Sequence, residues 1–299
     1  MNVYDSEKML ALLSHDYRSV DTPEAANVVL VNTCSVREKG EHKLFSLLGS
    51  LRDLKAERAK NAQQELIIGV AGCVAQQEGQ EILKRMPAVD FVVGTHNISL
   101  IPSLISGTRA GRRQQVAIDY RDEWEDLPDS ASEGFLESSL PNYSAVRAYV
   151  AIQRGCNKNC AFCVVPNTRG PEVSRAPAEI EREVRLKVRL GAREVLLLGQ
   201  TVNSYGRDLS PRLPFHQLIE RLATVEGLER IRFISPHPAE VRPEFIELYG
   251  SFPQLMPHIH LPLQSGSDRI LKLMNRNYRL ARYLEIIDQL KSRVPHIEI

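Results

Sequence analysis

The sequence predicts an α/β protein: a doubly wound parallel-sheet domain followed by a partial (β/α) barrel. Three observations predict it. Short apolar runs bounded by turn residues alternate with helical patterns over the first hundred residues. The alternation stops across 111–144, a stretch rich in Asp, Glu, Ser and Pro. It resumes from residue 147 and continues to the end of the 299-residue chain. Strands separated by helices favour parallel sheets covered on their faces by those helices. The expected divisions are an N-terminal domain over 1–110, an acidic linker over 111–144 and a barrel over 145–299.

In the first domain, Asp5 and Ser6 suit a helix start, and Met9-Leu10-Ala11-Leu12-Leu13 continues the helix. Residues 28–32 (Val-Val-Leu-Val-Asn) read as a buried strand, with a helix at about 37–50. Residues 66–71 form a second strand, with a helix at about 77–86. Residues 90–94 form a third, with a helix from about 97 to 106. In the barrel, strands are expected at 148–153, 194–199, 230–234, 258–262 and 296–299. Helices are expected at 177–190, 214–226, 243–250, 267–274 and 279–293. Pro177 suits a first helical turn and Gly191 a helix end. The N-terminal domain lacks a strand before its first helix, and the barrel stops at its fifth strand, so both ends read as clipped.

Composition narrows the class. The chain is 43% hydrophobic, with no apolar run of membrane-spanning length. Its first residues, Met-Asn-Val-Tyr-Asp-Ser-Glu, lack the basic and apolar regions of a signal peptide. With five cysteines that do not follow a secreted disulfide pattern, a reducing cytoplasm is expected. The net charge of +1 conceals an asymmetry: residues 1–144 carry net −6 and residues 145–299 net +7. A basic barrel is compatible with a nucleic-acid substrate, although solvated helix faces give a similar count.

The strongest chemical signal is Gly155-Cys-Asn-Lys-Asn-Cys-Ala-Phe-Cys163. Its C-x3-C-x2-C spacing places Cys156, Cys160 and Cys163 on one short loop. Three thiolates can ligate three corners of a [4Fe–4S] cube and leave the fourth iron open; electron carriers normally use four cysteines. Structural zinc needs a fourth protein ligand, and the next histidine, His216, lies 53 residues beyond Cys163. No second C-x2-C pair accompanies the first. Cys34 and Cys73 follow the first and second expected strands, and loops after strand ends of an open parallel sheet share a crevice. The alternative is a pair of buried cysteines acting as small apolar residues.

Longer segments carry a resemblance. They are Asn-Thr-Cys-Ser-Val-Arg-Glu-Lys (32–39), Ala-Gly-Cys-Val-Ala-Gln (71–76), Cys-Asn-Lys-Asn-Cys-Ala-Phe-Cys-Val-Val-Pro-Asn-Thr-Arg-Gly (156–170) and Val-Ser-Arg (173–175). Leu-Gly-Gln-Thr-Val-Asn-Ser-Tyr-Gly (198–206), Ser-Pro-His-Pro (235–238) and His-Leu-Pro-Leu-Gln-Ser-Gly-Ser-Asp-Arg-Ile-Leu (260–271) extend it. With these motifs the chain resembles the methylthiotransferase family of radical S-adenosylmethionine (radical SAM) enzymes, and within it the members acting on dimethylallyladenosine of tRNA.

The resemblance implies a radical SAM barrel whose cluster is held by Cys156, Cys160 and Cys163 and whose open iron chelates SAM. It implies a second [4Fe–4S] cluster in the N-terminal domain, held by Cys34, Cys73 and a third cysteine expected just before Met1. A C-terminal TRAM domain is expected beyond Ile299. The implied reaction inserts sulfur at adenine C2 and methylates it from a second SAM. Phe162, Gln200, Asn203, Ser235, His237, Gln264, Ser265 and Gly266 are the candidate residues for SAM or substrate. Arg175 is equally suited to a carboxylate or phosphate contact or to a surface ion pair. The Gly-Arg-Arg run at 111–113 is a candidate phosphate contact. Implied partners are tRNA and an electron donor such as flavodoxin or ferredoxin, with an unassigned sulfur donor, no membrane and a monomeric state. Rival readings are methylthiolation of threonylcarbamoyladenosine in tRNA or of a ribosomal-protein aspartate, and a non-catalytic iron–sulfur electron-transfer module.

Overall fold

A computed structural model describes residues 1–34, 38–121, 124–125, 127–128 and 146–299. The chain divides into two compact units. One comprises residues 2–143 together with Asn167–Arg169; the other comprises 144–166 and 170–299, with Met1.

The N-terminal unit is a four-stranded, all-parallel sheet in the order β1-β2-β3-β4: Val28–Thr33, Ile67–Gly72, Phe91–Val93 and Gln115–Ala117. Alternation along β2 explains why helices cover both faces. Ile68 and Val70 pack with Leu44, Leu48 and Leu51 of α2 (Glu38–Lys60) and with Val74, Ile82 and Leu83 of α3 (Cys73–Glu78) and α4 (Gln80–Arg85). Ile67 and Ala71 pack on the other side with Met9 and Leu13 of α1 (Asn2–Leu13) and with Ile101, Leu104 and Ile105 of α5 (Ile101–Arg109). Each fully buried Leu or Ile contributes about 1.5–3 kcal/mol.

Three local readings need correction. The helix expected at 77–86 is two helices, broken at Gly79, whose φ of +47° lies in the left-handed region. The helix expected to end near 50 runs to Lys60, because Arg58 is buried and donates to the carbonyls of Ala26 and Glu24. The stretch expected as linker from 111 contributes β4, whose register pairs Phe91 with Gln115. Most of that linker, 122–123, 126 and 129–144, lies outside the described residues, as do 35–37 of the first family segment.

The second unit contains a three-stranded parallel sheet in the order β5-β8-β9: Arg147–Ala151, Glu194–Leu198 and Arg230–Phe233. Between them, β6 (Gln153–Arg154) and β7 (Val173–Ser174) form a short antiparallel pair. One face of the sheet, with Val150, Val195, Leu197, Ile231 and Phe233, packs under α7 (Pro177–Arg189), α8 (Phe215–Ala223), α9 (Pro243–Glu247) and α11 (Leu280–Arg293). Phe215, Phe233 and Phe245 form the aromatic centre, with ring centroids 5.1 to 6.0 Å apart. The short helices α6 (Val165–Arg169) and α10 (Asp268–Leu273) complete the element order. The expected strands at 258–262 and 296–299 reduce to a single parallel bridge, His258 with Glu298. Pro257 and Pro262 bracket the first of them and remove the donors a continuous ladder needs.

Candidate iron–sulfur and S-adenosylmethionine site

The cysteine loop is clamped at both ends. β6 leads into Gly155, whose φ is +72° and whose hypothetical Cβ would stand 1.8 Å from the Pro171 carbonyl oxygen. Only glycine fits there. The Cys156 amide donates to the Gly170 carbonyl at 3.1 Å, closing the loop across the β6–β7 pair. Further along, the Ala161 amide donates to the Met274 carbonyl at 3.1 Å, and Asn275 Nδ2 donates to the Asn159 carbonyl at 2.6 Å. The loop is thereby pinned to the end of α10.

All five cysteines are free thiols. Cys156 is buried, while Cys160 and Cys163 are half-buried. Burial raises the Cys160 thiol, Arg276 opposes that shift, and the neighbouring Cys163 and Cys156 sulfurs reinforce it. Among the described residues no three His, Cys, Asp or Glu side chains converge on a single ion. The donor set of three free thiols on a rigid loop fits an iron–sulfur cluster with three protein ligands.

The loops after β8 and β9 frame the cysteines. Thr201 Oγ1 lies 3.3 Å from Cys156 Sγ, and the Lys158 amide donates to the same sulfur at 3.4 Å. Lys158 Nζ and Arg207 both pair with the Glu240 carboxylate. Burial alone would raise that carboxyl; the hydrogen bonds from Lys158 and Arg207 outweigh it and hold Glu240 below its usual range. Burial pushes Glu172 up to about 7; Arg207 opposes the shift and Asp208 adds to it.

The residues expected to hold SAM separate into two groups. Gln200 follows β8, and its Oε1 is buried with no hydrogen-bond partner among the described residues, as are both amide atoms of Gln153 before the cysteine loop. Unsatisfied buried amides are costly, so this end of the sheet has polar capacity for a ligand. Phe162 is 57% exposed, with the Arg276 guanidinium 5.3 Å from its ring centroid. Ser235 and Gln264 adopt left-handed backbone conformations, φ +62° and +68°, which non-glycine residues hold at a cost. Gly266 has no protein atom within 4 Å of a hypothetical Cβ, so packing does not explain its glycine.

Three residues take architectural positions. Asn203 bonds through both amide atoms to the His237 main chain, at 3.0 and 2.9 Å. His237 is buried, accepts from the Ala239 amide through Nδ1, and packs edge-on against Tyr278. Burial, with Arg276 and Lys158 nearby, depresses it to about 4, so it is neutral near pH 7. Ser265 Oγ accepts from the Ser267 amide within its own turn. Arg175 is 1% exposed and paired with the buried Glu183, so its ion pair is internal and not at the surface as expected. Arg113 of the Gly-Arg-Arg run pairs with Asp90 and Glu65.

In the N-terminal unit, β1 and β2 pair Thr33 with Gly72, so Cys34 and Cys73 each stand one residue beyond a matched pair. Cys34 is exposed and Cys73 is buried at the start of α3. Arg169 lies beside Cys73 and pairs with Asp5 at 2.5 Å. Burial disfavours its charge, but Asp5 and Cys73 outweigh that and raise its pKa. Thr201 and Arg169 were not singled out from the sequence. Each stands inside a family segment, Thr201 next to Gln200, and that placement is the available signal.

The second unit's parallel sheet, helix layer and cysteine loop define a radical SAM architecture. Residues 150–299 match the model of the Radical SAM superfamily, and residues 1–94 match Uncharacterized protein family UPF0004. The chain belongs to the radical SAM superfamily. It is 44% identical over 302 residues to a tRNA-2-methylthio-N(6)-dimethylallyladenosine synthase of Geobacter metallireducens, an alignment covering 100% of this chain and 65% of that one. It is 46% identical over 301 residues to a synthase of the same name from Cereibacter sphaeroides, covering 99% and 64%. The chain thus spans just under two thirds of the relatives it matches. Among solved structures, the radical S-adenosylmethionine methyltransferase TsrM from Kitasatospora setae superposes with a TM-score of 0.60 at 12% identity, over 97% of this chain and 58% of that one. The cobalamin-dependent S-adenosylmethionine radical enzyme OxsB gives 0.63 at 14%, over 89% and 39%. At these identities the likeness concerns the fold. No helix among the described residues is long and apolar enough to cross a membrane.

Proposed function

We propose that this chain is part of a radical SAM methylthiotransferase that converts N6-dimethylallyladenosine in tRNA to its 2-methylthio derivative. The observation that carries the reading is the identity of 42–46% with synthases of that name across essentially the whole chain, cysteine loop included. Cys156, Cys160 and Cys163 are the thiolate ligands of the barrel cluster, and Cys34 and Cys73 contribute to a second. When bound, the barrel cluster supplies the electron for reductive cleavage of SAM and thereby the radical chemistry that an unactivated adenine C2–H requires.

The chain's own residues do the positioning. Gly155 sets the loop's direction, and the Gly170 and Met274 carbonyls hold its two ends. Gln200 offers an acceptor to the polar end of SAM, and Phe162 offers an apolar face beside the third cysteine. Neutral His237 keeps the β9 loop closed without adding charge to the cationic surround of Lys158 and Arg276. Arg207, Arg212, His216 and Arg242, together with Glu240 and Glu244, line a cavity of about 590 Å³ in the same unit; exposed Arg212 and Arg242 are the proposed contacts for RNA phosphate. Flavodoxin or ferredoxin is the proposed reductant, and the cytoplasm the proposed location.

Mass spectrometry of tRNA nucleosides from a strain lacking the gene tests the reading. Loss of the methylthio nucleoside with accumulation of N6-dimethylallyladenosine is expected. An unchanged nucleoside profile overturns it.

A further inference from the structure

We infer that Thr201 is a positioning residue for the barrel cluster: its hydroxyl donates a hydrogen bond to the Cys156 thiolate and raises the cluster's reduction potential. The inference rests on the reading of Cys156, Cys160 and Cys163 as cluster ligands.

Thr201 Oγ1 stands 3.3 Å from Cys156 Sγ, within the range of an O–H···S contact. Both residues are buried, at 2% and 9% exposure, so water does not compete for either atom. The hydroxyl can donate or accept, but a thiolate only accepts. Once Cys156 is deprotonated as a ligand, the direction of the bond is fixed. The Lys158 amide donates to the same sulfur at 3.4 Å, giving this ligand two donors from different parts of the chain.

The hydroxyl is held in place from its own side. Thr201 stands three residues past the end of β8, next to Gln200, and its carbonyl accepts from the Ser204 amide at 2.8 Å, fixing the turn that presents the side chain. Two residues further on, Asn203 ties this turn to the His237 main chain. The donor is thus anchored by the turn after the central strand, independently of the cysteine loop.

The electrostatic consequence follows from charge. Reduction adds an electron to the cluster and its thiolates. A hydrogen bond to a ligand sulfur stabilises the more negative state more, and so raises the potential. Low local dielectric enlarges the effect. A residue that nothing in the C-x3-C-x2-C spacing identifies therefore adjusts how readily the cluster accepts the electron.

The test compares the anaerobically iron- and sulfide-loaded chain with Thr201→Val and Thr201→Ser. Iron content and an EPR-monitored redox titration are measured for each. Valine keeps the shape and removes the donor; serine keeps the donor. The expected result is undiminished iron in all three, a more negative midpoint potential in Thr201→Val, and a near-native one in Thr201→Ser. An unchanged potential in Thr201→Val overturns the inference, as does an equal shift in both variants, which would indicate packing. In a background with Cys34 and Cys73 both replaced by alanine, a cluster that persists when Cys156, Cys160 and Cys163 are also replaced overturns the underlying ligand reading and the inference with it.

Discussion

Asn203 holds the main chain of His237 from both sides: Nδ2 donates to the His237 carbonyl at 3.0 Å, and Oδ1 accepts from the His237 amide at 2.9 Å. This reciprocal pair ties the loop after β8 to the loop after β9, and both loops face the cysteines. Asn203→Ala leaves two main-chain groups without partners. A loss of about 1–3 kcal/mol is expected, read from urea unfolding. Asn203→Asp, which keeps the acceptor and loses the donor, should fall between wild type and alanine. A stability loss within error for Asn203→Ala would show that the pair contributes nothing.

Gly155 is the conformational hinge of the cysteine loop. With φ at +72° and the Pro171 carbonyl 1.8 Å from a hypothetical Cβ, Gly155→Ala must move the backbone that carries Cys156. The variant should take up markedly less iron on reconstitution while retaining native far-UV circular dichroism. Normal iron uptake would mean that the loop tolerates the displacement.

Buried His237 and half-buried Glu172 shift in directions that oppose each other in pH dependence. His237 is depressed to about 4 from 6.5, so its contribution to stability is present above pH 6.5 and is lost as pH falls through 4. Glu172 is raised to about 7 from 4.5, so its contribution is present below pH 4.5 and is lost as pH rises through 7. Between pH 4.5 and 6.5 the two slopes cancel. His237→Asn keeps an acceptor for the helical cap and should expose the Glu172 slope, with stability falling as pH rises. Glu172→Gln should expose the opposite slope. The limit for either is about 1.4 kcal/mol per pH unit. Parallel flat profiles in wild type and both variants would refute the assignment.

Arg175 and Glu183 form an ion pair with side-chain exposures of 1% and 0%. Removing one partner leaves the other charged in the core. Glu183→Leu should cost about 3–5 kcal/mol, measured as a shift in urea midpoint, and much less in combination with Arg175→Met. Additive losses in the double variant would show that the two side chains act separately.

Arg212 and Arg242 line the proposed phosphate-binding cavity, and both are exposed. Replacing each by alanine should weaken tRNA binding uniformly across sequences and lower the salt-dependence slope by about 1 per cation removed. Fluorescence anisotropy across a salt series reads both effects. An unchanged slope would place the RNA elsewhere.

The parts of the fold legible in the sequence were those with strong periodicity and main-chain continuity. Strands around Val28–Thr33 and Glu194–Leu198 are apolar runs ended by loops, and the structure pairs both. The run around Ile259 and Leu261 alternates these buried apolar residues with exposed His258 and His260, and forms only a bridge. Hydrophobicity reports burial, whereas a ladder also needs donors that flanking prolines do not supply. β4 was missed because three residues carry too little pattern to distinguish a strand from a linker. In the site, cysteine spacing names the thiols, and Asn203 and His237 are candidates because both follow strand ends. Whether such a side chain faces a ligand or ties two loops together depends on a partner 34 residues away, which local sequence does not display. Thr201 was overlooked for the converse reason: an unremarkable threonine becomes informative only when the fold sets it against Cys156.

The central claim is that the loop thiols of Cys156, Cys160 and Cys163 hold a cluster that engages SAM. Its most direct measurement is the EPR spectrum of the anaerobically loaded, dithionite-reduced chain with and without SAM, in wild type and in two variants. The account predicts a [4Fe–4S] signal that changes on adding SAM. That response should survive Cys34→Ala combined with Cys73→Ala, and disappear when the three loop cysteines become alanine. A SAM-responsive signal that persists without the loop thiols would contradict it.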